Sequence, residues 1–125
     1  MELIHQLTNG PRPTSQFDLV DDGKKIGMLQ LRHTHGSPSL GMPEGFGNNI
    51  YYEIEPEYRE KGNGKKILAL GLDEARKIGL KEVRLTVFED NPSSQKIIEA
   101  NGGVMIDKQL NGETKTMVRL YRIAL

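Results

Sequence analysis

The sequence predicts one α/β (α+β) domain over residues 1–125, with a mixed, mostly antiparallel sheet and two flanking helices. Three observations lead there. Apolar residues alternate in several short runs, the period of a half-buried strand. Two other segments carry apolar residues at helical spacing with cap residues at their ends. Hydrophobic residues make up 36% of 125, enough for one core at a single-domain length.

In chain order, residues 1–16 read as an arm or an edge strand, because Gly10-Pro11-Arg12-Pro13-Thr14-Ser15 breaks both helix and strand. Phe17-Asp18-Leu19-Val20 and Lys25 to Arg32 form two strands around Asp21-Asp22-Gly23, which supplies a tight hairpin. Residues 33–47 hold four glycines, two prolines and no periodicity, so they form a loop long enough to need a purpose. Asn49 to Glu55 alternates with Ile50, Tyr52 and Ile54 on one face, and Pro56 ends it. From Gly62 to Ile78 the residues Leu68, Gly71, Leu72, Ala75 and Ile78 line one helical face, with Gly79 as the C-terminal stop. Val83, Leu85 and Val87 make a short strand. Asn91-Pro92 opens a second helix as N-cap and first residue, and Gly102-Gly103 stops it. Val104 to Leu110 and Thr114 to Ile123 flank Asn111-Gly112, a strong hairpin signal.

Composition removes whole classes of function. Seventeen basic and seventeen acidic residues cancel and the pI is near 6.8, so no global field steers nucleic acid or an anionic membrane to the chain. Only 6% of residues are aromatic, which also weighs against nucleic acid. Mean hydropathy is −0.53, and no apolar run approaches the roughly 18 residues of a spanning helix. The start, Met1-Glu2-Leu3-Ile4-His5, lacks the pattern of a signal peptide, which predicts a cytoplasmic location. There is no cysteine, and the three histidines at 5, 33 and 35 make no obvious ligand set, so no metal is expected.

The chemistry concentrates in Ile54-Glu55-Pro56-Glu57-Tyr58-Arg59-Glu60-Lys61-Gly62-Asn63-Gly64-Lys65. A strand, a turn and a glycine-rich helix start let consecutive amides point at an anion where the helix dipole is positive. Arg59, Lys61, Lys65 and Lys66 outnumber Glu57 and Glu60, which suits a pyrophosphate. An ordinary loop before a lysine-rich, solvated helix start is the other reading. A P-loop is excluded, since one residue separates the glycines and Lys66 follows Lys65. The dinucleotide fingerprint lacks its third glycine, Ile67 standing there.

Arg59-x-x-Gly62-x-Gly64, after a strand ending Ile54-Glu55-Pro56, resembles the Gln/Arg-x-x-Gly-x-Gly/Ala signature of the GNAT superfamily of acyl-CoA-dependent N-acyltransferases. Asp90-Asn91-Pro92-Ser93-Ser94 through Ile97-Ile98-Glu99-Ala100-Asn101-Gly102 is similar to that family's later helix, and the resemblance covers roughly residues 17–123. It implies a splayed strand, Tyr52, Glu53 and Ile54, whose backbone pairs with the pantetheine arm of coenzyme A. It also implies that the amides of Glu60, Lys61, Gly62, Asn63, Gly64 and Lys65, with Arg59, hold the pyrophosphate. Asn91 and Ser94 would approach the thiol end, although Asn91 reads equally as a plain helix cap. The implied reaction is transfer of acetyl from acetyl-CoA to a primary amine of a small molecule or peptide by direct attack.

Two family features are missing. Ile98 occupies the place of the tyrosine that protonates the leaving thiolate, and Asn48 and Asn49 that of a glutamate base. Glu53 and His33 are the substitute candidates for catalysis, His33 because an imidazole is the side chain suited to taking a proton at neutral pH. Tyr51, Tyr52, Tyr58 and Tyr121 are candidate acids on residue type alone, although strand tyrosines more often pack. The two helices that family members usually carry before the hairpin have no counterpart in the first sixteen residues. The acceptor side is therefore expected to be open, closed by residues 33–47 with Glu44, or completed by a second subunit in a homodimer. The competing function is a coenzyme-binding module without turnover.

Overall fold

A computed structural model describes residues 1–10, 13–34, 41–43 and 45–125. The elements are β1 (Glu2–Asn9), β2 (Thr14–Asp21), β3 (Lys24–Arg32), β4 (Ile50–Ile54), a single 3-10 turn (Pro56–Tyr58), α1 (Asn63–Lys77), β5 (Glu82–Phe88), α2 (Pro92–Ala100), β6 (Val104–Leu110) and β7 (Met117–Ala124). Of the segment 1–16 read as an arm or edge strand, Glu2–Asn9 is the edge strand, paired antiparallel with β2, while Thr14 and Ser15, expected to break a strand, already belong to β2.

The strands form two sheets rather than one, in the orders β1-β2-β3-β4 and β5-β7-β6, and every described ladder is antiparallel. The chain passes from β4 through α1 to β5, so the parting lies between the two strands that the crossover joins. Both sheets nonetheless share one core. Leu19, Leu29 and Leu31 of the first meet Ile67, Leu68 and Leu72 of α1, Ile98 of α2, and Val83, Leu85, Tyr121 and Ile123 of the second.

The sequence pattern explains how closely α1 lies on the first sheet. Buried α1 residues are Asn63, Ile67, Leu68, Gly71, Leu72 and Ala75, a stripe whose successive spacings of 4, 1, 3, 1 and 3 keep to one helical face. At Gly71 a Cβ would stand 2.6 Å from Cδ1 of the fully buried Leu29, so a side chain there would force Leu29 to repack between α1 and β3. Ile78, expected on this face, instead follows the helix and is exposed, because the chain turns away at Gly79 with φ +87°.

The β6–β7 connection also differs from expectation. Asn111 bonds its N–H to Thr116 O, and Lys115 N–H returns to Asn111 O, which makes a four-residue loop and starts β7 at Met117 rather than Thr114. The Asn111 side chain decides this: buried, its Oδ1 accepts from Glu113 N and Thr114 N, so it builds an Asx turn in place of a two-residue hairpin.

Candidate active site

The register of β4 decides which of its backbone groups are free. In an antiparallel pair alternate residues exchange hydrogen bonds with the partner, while those between face the other way. Arg32 N donates to Asn49 O at 2.7 Å and Glu55 N to Ile26 O at 2.9 Å, and the register pairs Leu31 with Ile50 through Gly27 with Ile54. By that parity Tyr51 and Glu53 turn their backbone groups to β3, while Ile50, Tyr52 and Ile54 turn theirs toward β5. Arg59 Nε occupies Ile54 O at 2.8 Å. Among the described residues the Tyr52 N–H and C=O and the Ile54 N–H are left as an open strand edge.

Two asparagines hold the closed end of the parting. Asn49 N donates to Arg84 O at 2.8 Å, and Asn49 Oδ1 accepts from Arg84 N at 2.9 Å. Asn48 exchanges a second pair of bonds with Thr86, its Oδ1 accepting from Thr86 N and its Nδ2 donating to Thr86 Oγ1. Beyond this clamp the strands diverge into a groove. Its inner part, about 200 Å³, is lined by Asn48, Ile50, Tyr52, residues 85–88 of β5, and Ile98. Its outer part, about 350 Å³, is lined by Tyr52, Glu53, Ile54, Arg59, Glu60 and Gly64. Tyr52, Asn91 and Ser94 border both.

The outer part ends at the start of α1, and the two helix starts contrast. At α2 the Asn91 side chain accepts from Ser94 N at 3.2 Å, an ordinary N-cap. At α1 the cap position is Gly62 with φ +80°, no side chain caps the first turn, and no acid lies in it. Among the described residues no side chain accepts from the first-turn amides of Asn63, Gly64 and Lys65, and Gly64 lines the outer groove at the positive end of the helix dipole. Glu60 also holds a positive φ of 60°, a conformation costly for a side-chain-bearing residue, as Asp22 and Lys115 do in two hairpin turns. The Asn63 side chain, buried, donates to Tyr58 O at 2.9 Å and ties the turn together, so only its backbone faces outward. Lys61 Nζ stands 5.9 Å over the Tyr58 ring.

The two substitute catalytic candidates lie apart from the inner groove. Glu53 is exposed at the outer end, its carboxylate 3.8 Å from Arg59 Nη2. His33 lies outside the described groove lining. Its Nε2 meets Ser15 Oγ at 2.7 Å, Ser15 Oγ meets Thr8 Oγ1 at 2.8 Å, and Thr8 Oγ1 meets His5 Nε2 at 2.7 Å, a hydrogen-bonded chain that binds β1, β2 and the end of β3 together. The expectation that residues 33–47 close the acceptor side falls partly on 35–40 and 44, Glu44 included, outside the described residues. Among the described ones, Phe46 is buried against Val118 and Leu120 of β7, and Gly41 O accepts from Gly112 N at 2.9 Å. Sequence reasoning named Asn48, Asn49 and Tyr52 but missed that the two asparagines clamp β4 to β5 and that the Tyr52 hydroxyl is buried without a partner among the described residues. The paired asparagines before a strand were visible, but their partner strand was not.

The model of the acetyltransferase (GNAT) family matches residues 2–102. The chain belongs to the GNAT acetyltransferase family. No curated protein matches the chain. Among solved structures it is similar to a variant of the spermidine N-acetyltransferase SpeG from Vibrio cholerae, with 20% identity, a TM-score of 0.69, and 89% of this chain and 65% of that chain covered. It is also similar to a GNAT-family acetyltransferase from Streptococcus pneumoniae, with 20% identity, a TM-score of 0.69, and 90% and 66% covered. A third is AAC(6')-Ib in complex with ribostamycin and coenzyme A, with 14% identity, a TM-score of 0.71, and 89% and 64% covered. At these identities the likeness shows the fold, and this GNAT chain spans just under two thirds of the length of the first of them. GNAT enzymes use acetyl-CoA as co-substrate. Among the described residues no helix is long and apolar enough to cross a membrane, and no group of three or more histidines and carboxylates is placed to hold a metal ion.

Proposed function

We propose that the chain is an acetyl-CoA-dependent N-acetyltransferase acting on a primary amine of a small molecule or peptide. The observation that carries this reading is the open β4 edge leading straight to the uncapped start of α1. In one groove the chain offers a backbone strip for an amide-bearing arm and an anion cradle for its pyrophosphate. The amides from Glu60 to Lys65, with Arg59, Lys61 and Lys65 around them, receive the pyrophosphate. Tyr52 and Ile54 pair with the pantetheine amides, and the Tyr52 N–H, facing the gap, polarises the thioester carbonyl as the amine attacks. Asn91 and Ser94 wall the far side. With Glu53 ion-paired at the outer end and His33 outside the described lining, the amine gives its proton to water before it attacks.

A module that binds the coenzyme without turnover is favoured by one observation, Ile98 lining the inner groove with no proton to give. The two separate in one assay. Release of free thiol from acetyl-CoA, screened with polyamines, aminoglycosides, amino acids and peptide N-termini, is expected for the transferase. Measurable coenzyme binding with no release from any acceptor supports the module.

A further inference from the structure

The side chain of Tyr52 has no part in the binding just described, and it is the anomaly of the groove. Its Oη is buried with no hydrogen-bond partner among the described residues. The Ser94 side chain is the polar group that faces it, without good hydrogen-bond geometry. A buried hydroxyl left unpaired lowers stability, and on a residue that borders a cleft it is a donor available to a ligand that fills the cleft. Tyr52 borders both parts of the groove, and Ile98, at the place of the family's missing acid, lines the same inner space. Its own N–H faces the gap, so a thioester carbonyl taken by that N–H sets the adjoining sulfur beside the same residue.

Resting on the transferase reading above, we infer that the Tyr52 hydroxyl donates the proton that the departing sulfur of coenzyme A takes up. The amine nitrogen forms its bond to the carbonyl carbon, and the π pair moves to oxygen. When that pair returns, the C–S bond breaks with its electrons on sulfur, and sulfur takes the phenol proton. The surplus proton on nitrogen passes through water to the phenolate, leaving amide, thiol and neutral tyrosine. Burial raises the phenol above its ordinary value, the Ser94 side chain pulling the other way, so Tyr52 enters each cycle protonated.

Tyr52→Phe removes the unpaired atom and keeps the ring, so the variant melts no lower than the wild type. The decisive readout needs no acceptor. The pH at which the thiol of bound coenzyme A ionises is followed by thiolate absorbance, with the desulfo-coenzyme A complex as blank. Glu53, Arg59 and Glu60, the charged residues lining the outer groove, are the same in both proteins. A hydroxyl on the sulfur stabilises the thiolate, and the variant should ionise about one pH unit higher, a tenfold change. Turnover of the best amine in the panel should fall about 100-fold, with the KM for acetyl-CoA little changed. An unchanged ionisation pH in a variant that binds the coenzyme overturns the role of Tyr52 alone. No coenzyme binding by the wild type overturns the transferase reading and this inference with it.

Discussion

At the scale of single residues, Gly64 tests the cradle most sharply. A Cβ there would stand 2.6 Å from Ile97 Cδ1, the flexible end of a side chain that can shift. Gly64→Val should therefore fold, at a loss of about 1–3 kcal/mol for the overpacking. Its methyl groups would enter the outer groove where the pyrophosphate approaches the backbone, so coenzyme affinity by calorimetry should drop at least roughly tenfold. Unchanged affinity in the folded variant would move the pyrophosphate elsewhere. Residue chemistry was the most legible level in the sequence. The spacing of Arg59, Gly62 and Gly64 suggested a cradle, and the uncapped first turn of α1 fits that proposal. The Tyr52 hydroxyl was not legible, because an orphaned donor is a property of everything around it.

At the scale of elements, the Asn48–Asn49 clamp sets where β4 and β5 part. Asn49 satisfies Arg84 N through Oδ1, and its Nδ2 donates to Arg32 O at 3.3 Å and Thr34 O at 3.2 Å. Asn49→Ala strands those partners in a site that is 1% exposed, so urea unfolding should show a loss of about 2–3 kcal/mol. The exposed cap variant Asn91→Ala should lose only about 1 kcal/mol in the same measurement. A loss at Asn49 no larger than at Asn91 would remove the clamp from the account. The far end of β5 is tied by Glu89, whose carboxylate meets Lys108 Nζ at 2.7 Å and Arg119 Nη2 at 3.3 Å. The Lys108 hydrogen bond is the chief reason its carboxyl lies below the usual range, burial opposing and Arg119 assisting. A lowered folded pKa means that the contribution is present above the unfolded value near ~4.3 and is lost as pH falls through the folded one. The stability of Glu89→Gln should depend less on pH below about 5, and an identical acid limb in thermal melts would contradict this.

Element boundaries read from caps and alternation were mostly legible. Asn91-Pro92 and Gly79 mark helix ends where the structure has them, and Ile50, Tyr52 and Ile54 do share the inward face. The division into two sheets was not legible, since alternation tells a strand which face is buried and nothing about which edge is paired. The Asx turn at Asn111 escaped for a related reason, the side chain winning a contest with the backbone that Asn-Gly alone does not reveal.

At the scale of the whole molecule, a GNAT acetyltransferase fold is laid around a gap that the sheet leaves open, with the backbone of β4 on one wall and α2 on the other. Titrating coenzyme A into the labelled protein while following backbone amides by NMR tests this most directly, because parity along β4 makes a residue-by-residue forecast. The amides from Glu60 to Lys65, and those of Tyr52 and Ile54, should shift most, with Tyr51 and Glu53, turned to β3, moving distinctly less. Equal shifts along β4, or shifts clustered away from the groove with Gly62 to Lys65 unmoved at saturating coenzyme, would contradict the account.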